Sequence, residues 1–206
     1  LKGLVDEFSQ FARMPAPRAV PTELHALLAE TLALYDGLFA SLVIERHFDP
    51  AVTQVRVDPE QMKRVIINLI DNAIEAMGRE GLLVIETARD LPNSRVRVVV
   101  ADTGPGIPEA ERDKLFLPYY STKGRGSGLG LAIVRRIVAE HGGSIEVTDN
   151  QPAGTRFTIE LPVAMPTPEL LKSGATRATV ITQLASLNQQ LASTLTKLPD
   201  QFDRPG

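Results

Sequence analysis

The sequence predicts a two-layer α/β sandwich, with one mixed sheet covered by helices on one face. It also predicts a short N-terminal helix and a C-terminal helical extension. Two observations predict this architecture. Short β-branched segments with alternating character recur at 42–48, 82–88, 95–101, 144–148 and 155–161. Segments 24–39, 59–77 and 129–141 instead carry apolar residues at the three-to-four spacing of amphipathic helices.

The elements follow in order. Leu1, Leu4, Val5, Phe8, Phe11 and Ala12 form a helical stripe, which Met14-Pro-Ala-Pro17 ends. Its abrupt start predicts the tail of a longer helix in a larger protein. Pro21-Thr22-Glu23 reads as a cap for a helix from Leu24 to Phe39. Residues 42–48 and 54–57 read as strands. Asp58-Pro59 is an N-cap followed by proline at the first helical position, and this helix runs to about Met77. Strands 82–88 and 95–101 are joined by the turn at 90–93. Residues 103–127 form a long polar loop, and loops of that length in compact domains are usually functional. The helix after Leu129 is stopped by Gly142-Gly143, and a hairpin of 144–148 and 155–161 closes the domain. Beyond Pro162 the composition shifts. Val180, Leu184, Leu187, Leu191, Leu195 and Leu198 form a second helical stripe.

The chain's 206 residues suffice for one domain and an appendage. A net charge of −3 gives no nucleic-acid surface. With no cysteine there is no disulfide, thiolate zinc site or cysteine nucleophile, which is compatible with a reducing cytoplasm. No apolar run reaches the ~20 residues of a membrane span. A cytoplasmic location without membrane contact is therefore expected, any anchor of the parent protein lying upstream.

Four motifs carry chemistry. In Asn68-Leu-Ile-Asp-Asn72-Ala73 two asparagines, poor helix formers, share one helix face. A carboxamide oxygen is a hard ligand suited to magnesium that keeps most of its waters. Asp102-Thr-Gly104-Pro-Gly106 ends a strand; its carboxylate can accept an adenine amino group, and its glycines let the backbone approach a flat ring. Phe116-Leu-Pro-Tyr-Tyr-Ser-Thr122-Lys123 sets aromatics beside a cation. Gly126-Ser-Gly128-Leu129-Gly130-Leu131 opens a helix, where backbone amides form an anion site. It is not a P-loop, because Leu131 follows Gly130 where lysine is needed, nor a dinucleotide fingerprint, because Leu131 stands where the third glycine belongs and a loop rather than a strand precedes it.

In this order the four motifs resemble the ATP-binding domain of bacterial sensor histidine kinases, of the GHKL (Bergerat) superfamily. The resemblance covers about residues 1–164. It implies ATP and magnesium as ligands, with Asn72 binding the metal and Asn68 lining the phosphate region. Asp102 would bind adenine, Gly104, Gly106 and Ile107 would shape its pocket, and Thr103 would add a water-mediated contact. Thr122, Lys123, Gly126, Gly128, Leu129 and Gly130 would form the phosphate-facing lid. Asn68, Asn72 and Lys123 are the residues expected to serve catalysis. For a general base the choice stays open between Asn68, a weak base, and Glu75, at i+3 from Asn72.

Residues 7–15 resemble the end of the second dimerisation helix of nitrogen-regulation-type kinases. The implied organisation is 1–17 as the end of a helical phosphoacceptor domain, 18–164 as the catalytic domain, and 165–206 as linker and amphipathic helix. His25, His47 and His141 lack a phosphoacceptor box, so no autophosphorylation is expected of the chain alone. The resemblance implies a homodimeric parent and a response-regulator receiver domain as partner. Two other readings are a GHKL serine kinase or ATPase, and a nucleotide-gated interaction module.

Overall fold

The computed structural model describes residues 14–90, 92–121 and 128–163. All fall in the first of two units of the chain, Leu1–Ala164. The helix expected over residues 1–12 and the stripe expected over 180–198 lie outside the described residues.

The strands are β1 (Val20–Glu23), β2 (Leu42–Phe48), β3 (Gln54–Val57), β4 (Gly81–Asp90), β5 (Arg95–Asp102), β6 (Ser144–Asp149) and β7 (Thr155–Pro162). The helices are α1 (Leu24–Leu32), α2 (Pro59–Ala76), the single turn α3 (Glu109–Arg112) and α4 (Gly130–Glu140). Five strands form the main sheet in the order β2-β4-β5-β7-β6. The β2–β4 pair is parallel and the other pairs are antiparallel, so the sheet is mixed, as the sequence predicts.

Register sorts the two faces. Ile85 pairs with Val100, which pairs with Phe157; Thr87 pairs with Val98, which pairs with Ile159. All six are buried. Leu24, Leu28 and Leu32 of α1, Ile66, Leu69 and Ile70 of α2, and Val134, Ile137 and Val138 of α4 join them in one core. Each such side chain contributes about 1.5–3 kcal/mol by leaving water. The alternate positions of β4, β5 and β7 include charges, although Val99 and Ala101 of β5 are buried there too. Arg156 pairs with Glu86 at 2.6 Å and Arg97 with Glu160 at 3.2 Å. The helices therefore cover one face only.

Three elements differ from the sequence expectation, the first being α3, a helical turn at Glu109–Arg112 inside the stretch 103–127 expected to be loop. Pro21-Thr22-Glu23 is strand, not cap: β1 pairs antiparallel with β3 from Val20–Val57 to Glu23–Gln54. Glu23 makes no side-chain cap bond and instead accepts a hydrogen bond from Gln54 Nε2 at 2.7 Å. The first helix also ends at Leu32 rather than Phe39. Leu34 and Leu38, which prolonged the apolar period, stand 64% and 59% exposed in the turns that follow.

The chain enters this unit at a shared corner. The Asp58 side chain caps α2 by accepting the N–H groups of Glu60 and Gln61. Its other oxygen accepts Arg18 N–H at 2.8 Å, and Gln61 Nε2 donates to Pro15 O at 3.1 Å. Asp58 N–H donates to His141 Nε2 at 2.9 Å, so Nδ1 of that ring donates to Ile137 O at 2.7 Å. His141 thus joins the end of α4 to the start of α2.

Candidate functional site

Three elements converge on one cleft. The C-terminal half of α2 brings Asn72, Ala73 and Ala76, the end of β5 brings Asp102, and the root of α4 brings Gly128, Gly130 and Leu131. The loop after β5 adds Pro105, Gly106, Ile107 and Pro108 as a wall. The volume is about 400 Å³, the size of a small-molecule site.

Asp102 is its buried polar anchor, 3% exposed. Its Oδ1 accepts the N–H groups of Gly104 at 2.8 Å and Thr155 at 3.1 Å. Its carbonyl accepts Asn150 Nδ2 at 2.8 Å. A buried carboxylate held in this way is fixed in direction before any ligand arrives. Asn72 is half-buried and makes no side-chain hydrogen bond among the described residues, leaving its carboxamide available to the cleft.

The described residues on either side of 122–127 are fastened to one another and to α4. Tyr119 N–H donates to Gly128 O at 2.9 Å. The Phe116 ring lies under the Arg135 guanidinium of α4, 5.6 Å from its centre. Tyr120 and Ser121 line the cleft beside them.

The structure therefore gathers Asn72, Asp102, Gly106, Ile107, Gly128 and Gly130 from the sequence expectations. It sets four others, Asn68, Thr103, Gly104 and Leu129, apart from the cleft. Asn68 Nδ2 donates to Arg64 O at 2.7 Å, and its Oδ1 lies 2.8 Å from where a Cβ on Gly130 would sit. Asn68 thus packs against the first residue of α4. Gly104 lines an adjoining recess with Thr103, whose hydroxyl accepts Leu82 N–H. Leu129 is core, 1% exposed. Thr122, Lys123 and Gly126 lie outside the described residues. Glu75 lines the cleft, so the pocket leaves it in place as the alternative to Asn68.

Sequence reasoning missed Thr155 and Phe157 on the floor, and Glu111 and Leu115 on the wall. One signal was present: Thr155 is a polar residue at the head of the inward-facing series Phe157, Ile159 and Leu161. The histidines take no part. His25 stacks on Phe48 at 4.8 Å, and His47 is exposed beside Glu45.

The family described as histidine kinase-, DNA gyrase B- and HSP90-like ATPase matches residues 57–165, which contain all these cleft residues. The chain belongs to this family. Within it the chain corresponds to the ATP-binding catalytic domain of sensor histidine kinases. Sensor histidine kinase ZraS of Klebsiella oxytoca is 36% identical over 165 residues, covering 79% of this chain and 36% of that protein. The nucleotide-free catalytic domain of histidine kinase ThkA superposes with a TM-score of 0.65 at 35% identity, over 70% of this chain and 95% of that one. ThkA in complex with response regulator protein TrrA gives 0.68 at 32% identity, over 82% and 48%. Full-length ShkA in complex with AMPPNP gives 0.69 at 28% identity, over 78% and 35%. The chain spans about a third of the length of the first curated relatives it matches. No described helix of this family member is long and apolar enough to cross a membrane.

Proposed function

We propose that this chain is the catalytic part of a nitrogen-regulation-type sensor histidine kinase, in which residues 1–17 end a helical phosphoacceptor domain and 18–164 form the catalytic domain. The parent moves the γ-phosphoryl of Mg-ATP to a histidine outside this chain, from which a response-regulator aspartate takes it. The observation that carries this reading is the buried, doubly anchored carboxylate of Asp102 facing Asn72 and the Gly128–Gly130 root across one cleft.

Phosphoryl transfer asks a protein mainly for positioning and charge stabilisation. Asp102 accepts the adenine amino group and so sets the base. Gly106 and Ile107 flank the ring. The amides of Gly126, Gly128, Leu129 and Gly130, with Thr122 and Lys123, face the phosphates. Among the described residues no group of three or more His, Cys, Asp or Glu could hold a metal. Magnesium, which keeps most of its waters and takes phosphate oxygens, would be held on the protein side by Asn72. When bound, magnesium neutralises phosphate charge.

The full-length kinase acts as a homodimer at the cytoplasmic side of any anchor. No feature of the cleft favours the serine-kinase or interaction-module readings.

Calorimetric titration of ATP tests this, with magnesium and then EDTA. Wild type binds, and EDTA weakens binding. Asp102→Asn keeps the shape but exchanges an acceptor for a donor, lowering affinity roughly 10- to 150-fold. Absence of ATP binding by wild type would overturn the reading.

A further inference from the structure

We propose that Arg112 and Asp149 are positioning residues for the base end of the nucleotide: together they hold the Ile107 wall of the cleft in register with its Asp102 floor. This rests on the reading of the cleft as an adenine-nucleotide site.

Arg112 closes α3, a turn too short to persist by itself. Its guanidinium folds back, with Nε and Nη2 donating to Ile107 O at 3.2 and 3.1 Å. That fork fixes the carbonyl of a residue whose neighbours Pro105, Gly106 and Pro108 make up the wall. Nη2 also donates to Asp149 Oδ1, at the end of β6. The next residue, Asn150, is committed to the floor: its Nδ2 donates to Asp102 O, and its N–H to Gly154 O at 3.0 Å. Thr155, after the same turn, donates its N–H to Asp102 Oδ1.

The β6–β7 turn therefore grips the floor through Asn150 and Thr155, and the wall through Asp149 and Arg112. Gly106 also approaches this turn closely, since a Cβ there would lie 3.2 Å from Gly154 O. Neither Arg112 nor Asp149 lines the cleft. They act on the ligand through Ile107, at the base end and away from the Gly128–Gly130 root. Without the clamp the wall must be ordered when the base enters, and affinity falls.

The location of the effect separates this role from a phosphate-binding or lid role. In the full 206-residue chain, Arg112→Ala, Asp149→Ala and the double variant are titrated with Mg-ATP and, by competition, with adenosine. Each single variant weakens both ligands by the same factor, about three- to tenfold for one re-ordered segment. The double variant weakens them no further than Arg112→Ala, because the two residues act as one device. Asp149 is 60% exposed, so its variant keeps the test valid even if Arg112→Ala folds poorly. Weakened ATP with unchanged adenosine would overturn the proposal, as would unchanged affinity for both or multiplicative losses in the double variant. Wild type that binds neither ligand would overturn the nucleotide reading itself, a result distinct from wild-type binding that the variants leave intact.

Discussion

Asn68 and Asn72 stand one turn apart on α2, and their carboxamides end in different places. Asn72 opens to the cleft, while Asn68 returns one bond to its own helix and sets its oxygen against Gly130. Spacing placed both on one face, but only the position of α4 decides which is covered. Close approach also explains Gly154. A Cβ there would lie 1.8 Å from the Asp102 carbonyl oxygen and 2.7 Å from its carbon, at a backbone φ of +118°. Both obstacles are backbone and cannot swing aside. Gly154→Ala should cost about 3 kcal/mol or more in urea unfolding and should weaken ATP binding by displacing Asp102. Asp102 and Asn72 were legible because each stands in a motif whose chemistry is local. Thr155 was legible only as the polar head of an inward-facing series, because its place beside Asp102 depends on strand register between β5 and β7.

Among the elements, α2 was the most legible, and its cap shows why. Asp58 accepts Glu60 N–H at 3.1 Å and Gln61 N–H at 3.2 Å, as the Asp-Pro start predicts. Asp58→Ala should lose about 1 kcal/mol of stability. The charge matters as well. Burial disfavours the ionised carboxyl, but the N–H groups of Arg18, Gln61 and Glu60 outweigh it, with His141 adding a smaller effect, and hold the pKa below 3.8. A lowered folded pKa gives stability that is present above 3.8 and lost as pH falls through the folded value. Thermal midpoints taken from pH 6 down to pH 2 should therefore fall more steeply for wild type than for Asp58→Asn. An identical slope in the two proteins would remove Asp58 from the acid response. β1 was illegible for a complementary reason. Its four residues make strand only because β3 lies alongside, and in isolation Pro-Thr-Glu before an apolar run has the composition of a helix start.

For the whole molecule, the alternating segments and the three long helical segments sufficed to predict a mixed sheet with one covered face. The strand order was not legible, since β7 reaches β5 across the β6 hairpin and no local pattern records that. The cleft draws its walls from α2, β5, residues 120–121 and the root of α4, so ligand binding should stabilise the unit as a whole. At a hundredfold excess over Kd, Mg-ATP should add about 2.7 kcal/mol, read as a rise in thermal midpoint. EDTA should remove part of that rise.

The corner at Asp58 has a mechanical consequence. Helix α2 begins there, α4 ends there, and the incoming chain is fastened there at Pro15 and Arg18. Asn72 lies roughly 20 Å further along the rigid rod of α2. Tension on the chain at Pro15 would be delivered to the start of α2, whose far half carries the Asn72 carboxamide of the cleft. A pull on the chain there would reach Asn72 along one continuous helix, through hydrogen bonds that also hold the end of α4.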